Sequence, residues 1–228
     1  MNNYDQLFQK EISELKGRPA LLLHVCCGVC SVYPLRLLNQ YYKITILYTN
    51  SKIYPYSEYE KRLGELERYL KMLDTDIDLI VPKYDPSFNA KLGNYANAKE
   101  GMERCVMCYS LRMKEAFEYA VEHKFEYCTT IMSISNHKNA NYINHIGEKL
   151  EEHFNHQVKF LHNDFKKRGG IDKNRELNAE IDLYHQPYCG CAYSLADYLN
   201  KVKNQEKLVA EDETLSQQLE LEPSRKED

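Results

Sequence analysis

Apolar residues in this chain fall in short runs set between longer amphipathic stretches. Ala20-Leu-Leu-Leu-His-Val25 is long enough for a buried strand and too short for most helices. Residues 43–48, 77–81, 125–131 and 158–161 read as further strands, and Pro82 stops the one at 77–81. Between them, residues 31–41, 57–73, 107–123 and 138–154 read as helices. In 107–123, Met107, Leu111, Phe117, Ala120 and Val121 fall largely on one face. Ser57 and Glu60 have the spacing of a capping box. The polar stretch after Pro82, with Pro86, Gly93 and several Asn, predicts a short helix and a loop. Residues 175–181 and 192–203 predict two last helices. Strands separated by helices of this length favour a parallel sheet covered on both faces. Right-handed crossovers then give an α/β, Rossmann-like (HUP-type) layer, followed by a C-terminal helical segment. In such sheets, sites form at the carboxyl ends of strands. Residues 1–203 are expected to form one domain, and residues 204–228 a charged, disordered tail.

Composition narrows the class. The 228 residues are 43% hydrophobic and 28% charged, enough for a full core without disulfide staples. No run approaches the ~20 apolar residues of a membrane span, so no membrane partner is expected. The first sixteen residues are polar and lack the apolar core of a signal peptide. The expected compartment is therefore a reducing cytoplasm, where cysteines serve metal binding or catalysis more than structural disulfides. The net charge of −4 argues at first against nucleic acid. It is unevenly spread: residues 201–228 hold five basic and eight acidic residues, which leaves the body nearly neutral. Local charge decides phosphate binding. Lys166, Lys167, Arg168, Lys173 and Arg175, set against Asp164 and Asp172, form a basic stretch or a solvated loop.

Seven of the eight cysteines lie in three groups: Cys26, Cys27 and Cys30; Cys105 and Cys108; Cys189 and Cys191. The first group follows a predicted strand, and each precedes or opens a predicted helix. A helix N-terminus favours a thiolate, the form that binds metal. Cys128, inside a strand-like run, reads as a small buried hydrophobe. Structural zinc or an iron–sulfur cluster each takes four thiolates. Cys27-Gly-Val-Cys30 after a strand also has the form of a thioredoxin redox motif. Cys189-Gly-Cys191 suits a two-electron dithiol relay, or two more metal ligands.

At these residues the sequence resembles the epoxyqueuosine reductases of the QueH type, which do not use cobalamin. The resemblance rests on Leu22-Leu-His-Val-Cys-Cys-Gly-Val-Cys-Ser31, Pro55 with Glu58-Tyr-Glu-Lys-Arg62, and Glu103-Arg-Cys-Val-Met-Cys-Tyr109 with Arg112. It continues through Thr129-Thr130, Ser135, His137-Lys138, Ile146-Gly147, Asp164-Phe-Lys-Lys167 and Gln186-Pro-Tyr-Cys-Gly-Cys-Ala-Tyr-Ser194. It implies an oxidoreductase of tRNA processing. The epoxide oxygen of epoxyqueuosine, at the wobble position of tRNA, is removed to give queuosine. It further implies a [4Fe–4S] cluster on Cys26, Cys27, Cys105 and Cys108, with Cys189 and Cys191 as the redox-active pair. Cys30 fits neither set and is either a ligand to a second iron or a packing residue. Expected partners are tRNA carrying epoxyqueuosine and an external electron donor.

Removing the oxygen takes two electrons and two protons. A cluster passes electrons singly, whereas a dithiol supplies two. Asp164, His137, Tyr188 and His24 are candidate proton donors, and His24 also reads as a core histidine. His137, Lys138, Asp164, Lys166 and Lys167 form the expected substrate-binding set, with Arg168 a further phosphate contact. The target base must be splayed from a single-stranded loop into a pocket. Two other classes stay open: a thioredoxin-type thiol oxidoreductase working without iron, and a zinc or iron–sulfur RNA-binding module without turnover.

Overall fold

A computed structural model describes residues 3–73 and 75–205. Five strands form one parallel sheet: β1 (Ala20–His24), β2 (Lys43–Leu47), β3 (Asp78–Ile80), β4 (Tyr127–Thr130) and β5 (Lys159–Phe160). Their spatial order is β3-β2-β1-β4-β5, so the order reverses between β1 and β4. This is the doubly wound arrangement that the strand–helix alternation predicts, and its crevice opens beside the carboxyl end of β1.

The period of two in β1 divides its side chains between two cores. Leu21 and Leu23 join Ile44 and Ile46 beneath α1 (Tyr4–Glu14), α2 (Gly28–Leu38), α3 (Tyr56–Leu73) and α6 (Gly170–Ile181). Leu22 points the other way. It packs with Leu47, Cys128 and Phe160 against α4 (Glu103–Glu122) and α5 (Ala140–His153). Cys128 is thus a core thiol, and burial pushes its pKa up. Residues 192–205 form α7, the C-terminal helical segment. No helix of the described residues is long and apolar enough to cross a membrane. Of the expected tail at 204–228, residues 206–228 lie outside the described residues.

Several boundaries differ from the sequence pattern. The α1 helix lies in a stretch from which no helix is expected; Phe8, Ile12 and Leu15 fall at helical spacing and pack on the core, and Asn3 caps the helix by accepting from the Gln6 amide at 3.2 Å. The α2 helix starts at Gly28 and α4 at Glu103, earlier than the expected 31 and 107, so Cys30 and Cys105 lie inside first turns. The α6 helix starts at Gly170 rather than at 175. Ser57 lies within α3 rather than capping it, and the Pro55 carbonyl accepts from the Glu58 and Tyr59 amides instead. The expected strand at 125–131 ends at Thr130, where the Thr130 hydroxyl caps a short 3₁₀ turn (Ile131–Ile134). The polar stretch after Pro82 carries a 3₁₀ segment (Phe88–Tyr95).

Gly147 in α5 faces the ring of Phe160 on β5. A Cβ at this position would lie 2.4 Å from that ring, which is buried beside Phe117. Gly147→Ala is expected to destabilise the fold by roughly 1–3 kcal/mol through overpacking. Thermal unfolding should show this as a fall of several degrees in Tm.

Candidate active site

The cysteine groups converge because three helices begin at the same end of the sheet. The chain leaves β1 through Val25 and Cys26, and Cys27 is the N-cap of α2. The Cys26 and Cys27 sulfurs are 3.8 Å apart. Cys30, one turn into α2, completes a trio whose sulfurs all lie within 4.8 Å of one another. Among the described residues it is the one such close group of three or more metal-ligating side chains. In the first turn of α4, the Gly101 amide donates to Cys105 Sγ at 3.1 Å. Cys108 lies one turn further on. At the start of α7, Cys191 Sγ accepts from the Ser194 amide at 3.3 Å and so caps the helix.

The Cys189–Gly190–Cys191 loop is held by buried cations. Lys52 Nζ donates to the Cys189 carbonyl at 2.7 Å and lies 3.9 Å from its sulfur. Arg62 donates to the same carbonyl at 3.1 Å and to that of Tyr188 at 3.2 Å, and it pairs with Glu58 at 2.7 Å. Gly190 has φ +120°, and a Cβ there would lie 2.7 Å from the Arg62 guanidinium. Both its conformation and its neighbours therefore require glycine.

Arg112 is fully buried between the cysteine groups. It donates to Asn50 Oδ1 at 2.7 Å and contacts His24 Nε2 at 3.0 Å. His24 Nε2 must accept, so Nδ1 carries the proton and donates to the Thr130 hydroxyl at 2.7 Å. Burial, reinforced by the Arg112 charge, holds His24 well below its usual pKa. Both of its nitrogens are committed, which is the arrangement of a core histidine.

These charges act on the sulfurs. Hydrogen bonds from the Cys27 and Cys30 thiols, aided by Lys138 and Arg112, hold Cys26 well below the usual thiol range. Their bonds to Cys26 push Cys27 up to about 11 and raise Cys30 well above the usual thiol range, so within the trio Cys26 is the thiol that most readily carries negative charge. Burial raises Cys105 and Cys108, and negative charge on Cys189 or Cys191 raises both further. Burial also acts to raise Cys189, but the charges of Lys52, Lys138 and Arg112 bring it below its ordinary value. Lys138 would be lowered by burial, but Cys26, Cys189 and Cys30 hold it above its usual range as a cation. Clustered sulfurs faced by buried cations suit an anionic metal–sulfur centre.

A cavity of about 640 Å³ opens onto the trio and Cys189. His137 and Lys138 of the expected substrate set line it. Asp164 and Lys166 stand behind the wall: they pair at 3.2 Å, and Lys166 donates to the Ser133 and Lys138 carbonyls. Lys167 is on the outer surface, and Arg168 pairs with Asp5. The Tyr188 hydroxyl donates to the Tyr54 carbonyl at 2.6 Å, and burial pushes its pKa up to about 12. Lys52, Arg62 and Arg112 carry no expected role on sequence grounds. Arg112 is detectable by spacing, since intervals of four from Cys108 and seven from Cys105 put all three on one face of α4. Lys52 is not, because only folding brings its loop against Cys189.

Fold and site define a class: a Rossmann-type α/β protein with a thiol-rich centre at its topological switch point. The family model described as Epoxyqueuosine reductase QueH matches residues 21–197. Curated relatives named epoxyqueuosine reductase QueH agree with it. That of Streptococcus pyogenes is 32% identical over 200 residues, covering 84% of this chain and 78% of the relative. That of Staphylococcus epidermidis is 33% identical over 202 residues, covering 84% of each. The chain belongs to the epoxyqueuosine reductase QueH family. The solved U34-tRNA thiolase NcsA from Methanococcus maripaludis, with its [4Fe–4S] cluster, superposes with a TM-score of 0.52. It is 17% identical, the match covers 90% of this chain and 72% of that one, and the likeness is one of fold.

Of the buried cations around Cys189, Lys52 does most to lower its pKa. In metal-free, reduced protein, Lys52→Met is expected to move the pH midpoint of Cys189 alkylation upward by roughly one unit or more. Rates of iodoacetamide labelling against pH, with the labelled cysteine located by mass mapping, check this.

Proposed function

We infer that this chain is an epoxyqueuosine reductase, an oxidoreductase that acts on epoxyqueuosine in tRNA and leaves queuosine. The observation that carries the reading is the opening of one solvent-reaching cavity onto both the Cys26–Cys27–Cys30 trio and Cys189, in a chain of this family. A [4Fe–4S] cluster would be held by Cys26, Cys27, Cys105 and Cys108, and when bound it supplies an electron relay and an electrophilic iron. Cys30, within 4.8 Å of two of those sulfurs, would be the ligand to a second iron.

The chain's own residues supply the rest. Converting the Cys189 and Cys191 dithiol to a disulfide releases two electrons and two protons. An epoxide that takes up both gives an alkene and one water, so the step balances. An external donor of electrons then restores the dithiol. Lys52, Lys138 and Arg112 favour the Cys189 thiolate, which is the reactive form. Lys138 lines the cavity as a cation and is placed to stabilise negative charge on the departing oxygen. Arg175 and Lys201 are exposed at the cavity and suit the phosphates of an anticodon loop.

Protein purified without oxygen is expected to hold about four iron and four acid-labile sulfide per chain, or slightly more iron. Cys105→Ala should lose most of both, whereas Cys30→Ala should lose only the extra iron. Cys189→Ser/Cys191→Ser should keep iron and sulfide while losing turnover of epoxyqueuosine tRNA by about a hundredfold or more. One zinc and no sulfide after anaerobic reconstitution, or full turnover by the double variant, overturns the assignment it tests.

A further inference from the structure

Arg112 is a buried cation without a buried carboxylate. Its guanidinium donates to Asn50 Oδ1 at 2.7 Å, to His24 Nε2 at 3.0 Å and to Met132 Sδ at 3.3 Å. All three partners are uncharged, and burial with the Arg112 charge keeps His24 so. Among the described residues no carboxylate forms an ion pair with Arg112, whereas Arg62 has Glu58 at 2.7 Å. A buried charge without a counter-charge strongly destabilises a fold. The negative charge that acts on Arg112 comes from sulfur, that of Cys108, Cys26 and Cys189. The cavity lining does not include Arg112, so its charge is not spent on substrate.

The same bonds join the two halves of the expected ligand set. Arg112 follows Cys108 by one turn of α4. His24 ends β1, two residues before Cys26. Asn50 extends the link, because its Nδ2 donates to the carbonyl of Val25, the residue before Cys26, at 2.7 Å. One guanidinium thus ties the helix bearing Cys105 and Cys108 to the loop bearing Cys26 and Cys27. Bonded on both sides, its charge is held in place and out of water.

We propose that Arg112 is a positioning residue for the reduction: it spans the two halves of the ligand set and, as a fixed counter-charge, raises the reduction potential of the centre they hold. A four-thiolate iron–sulfur centre is anionic, and taking up one electron makes it more so. A cation fixed nearby in a water-poor interior stabilises the reduced form more than the oxidised one. The step moves one electron from the external donor to the centre. The donor is oxidised, no bond forms or breaks, and Arg112 offsets the added charge so that no proton need follow. This role rests on the assignment of the cluster to Cys26, Cys27, Cys105 and Cys108 and deepens it.

The test is a potentiometric titration of anaerobically purified holoprotein followed by electron paramagnetic resonance, with iron and sulfide per chain measured in every variant. Arg112→Met is expected to lower the midpoint potential by roughly 59 mV or more, a tenfold or larger loss in the one-electron reduction equilibrium. Asn50→Asp, which leaves the arginine in place and sets a carboxylate against it, should shift the potential in the same direction. Lys114→Met removes one exposed charge from the solvent face of the same helix and should leave the potential unchanged. Affinity for an anticodon stem-loop RNA should stay within about twofold in all three. A role in folding alone would cost iron and sulfide without moving the potential of the centres that remain. An unchanged potential in Arg112→Met, or in Asn50→Asp if the first variant does not fold, overturns the proposal, as does an equal fall in Lys114→Met. A wild type that holds no iron–sulfur centre after anaerobic reconstitution overturns the cluster assignment and this role with it. A wild type that shows the centre and the shift yet never reduces epoxyqueuosine tRNA overturns the reductase reading and leaves the role of Arg112 standing.

Discussion

Buried positive charge set against buried sulfur is the constraint on which the rest of this structure depends. Lys52, Arg62, Arg112 and Lys138 are each at most 8% exposed. An isolated cation taken out of water is costly, and a half-paired one strongly destabilises. Here Glu58 and the Cys189 carbonyl hold Arg62, and Asn50 and His24 hold Arg112. What remains uncompensated faces Cys26, Cys108 and Cys189. The thiols and the cations therefore explain each other: the charges favour thiolate, and thiolate makes the charges tolerable.

The parallel sheet makes that arrangement possible. Every strand delivers its carboxyl end to the same edge, and each following helix presents its N-terminus there. Cys27 occupies the N-cap position of α2, Cys105 lies in the first turn of α4, and Cys191 Sγ caps α7. Three helix N-termini add partial positive charge to the four cationic side chains. The buried loop after β2, from Thr49 to Ile53, closes the site from the side. It brings Lys52 and Asn50 in, and the Tyr54 amide donates to the Gly190 carbonyl at 2.7 Å. The cysteine loop is thus bonded to a strand connection more than 130 residues earlier in the chain.

Much of the fold was legible because strands and helices have different periods. Leu21, Leu22 and Leu23 announce a strand buried on both faces, and the helices between strands require parallel pairing. The cysteine groups were legible by spacing alone. Helix starts were not, because hydrophobic periodicity begins only where a helix meets the core. Residues 28–30 and 103–106 belong to helices whose first turns face the site, where sulfur and cation replace apolar contacts. The basic stretch at 166–175 was legible as charge but not as role. Lys166 braces the Ser133–Lys138 segment from behind, and Arg168 ties to α1.

The sequence alone determined the class of fold, the three cysteine groups, their positions near helix starts, and the family they resemble. These are local properties: periodicity, spacing and order along the chain. Only the tertiary structure decided which groups meet. It placed Cys30 in a tight trio with Cys26 and Cys27, and it set Lys52 beside Cys189. It committed both ring nitrogens of His24, one to Arg112 and one to Thr130. Each of these depends on chain segments far apart in sequence brought within a few ångströms. Burial, which alone gives charge and hydrogen bonding their strength, exists only once the sheet and its helices have closed.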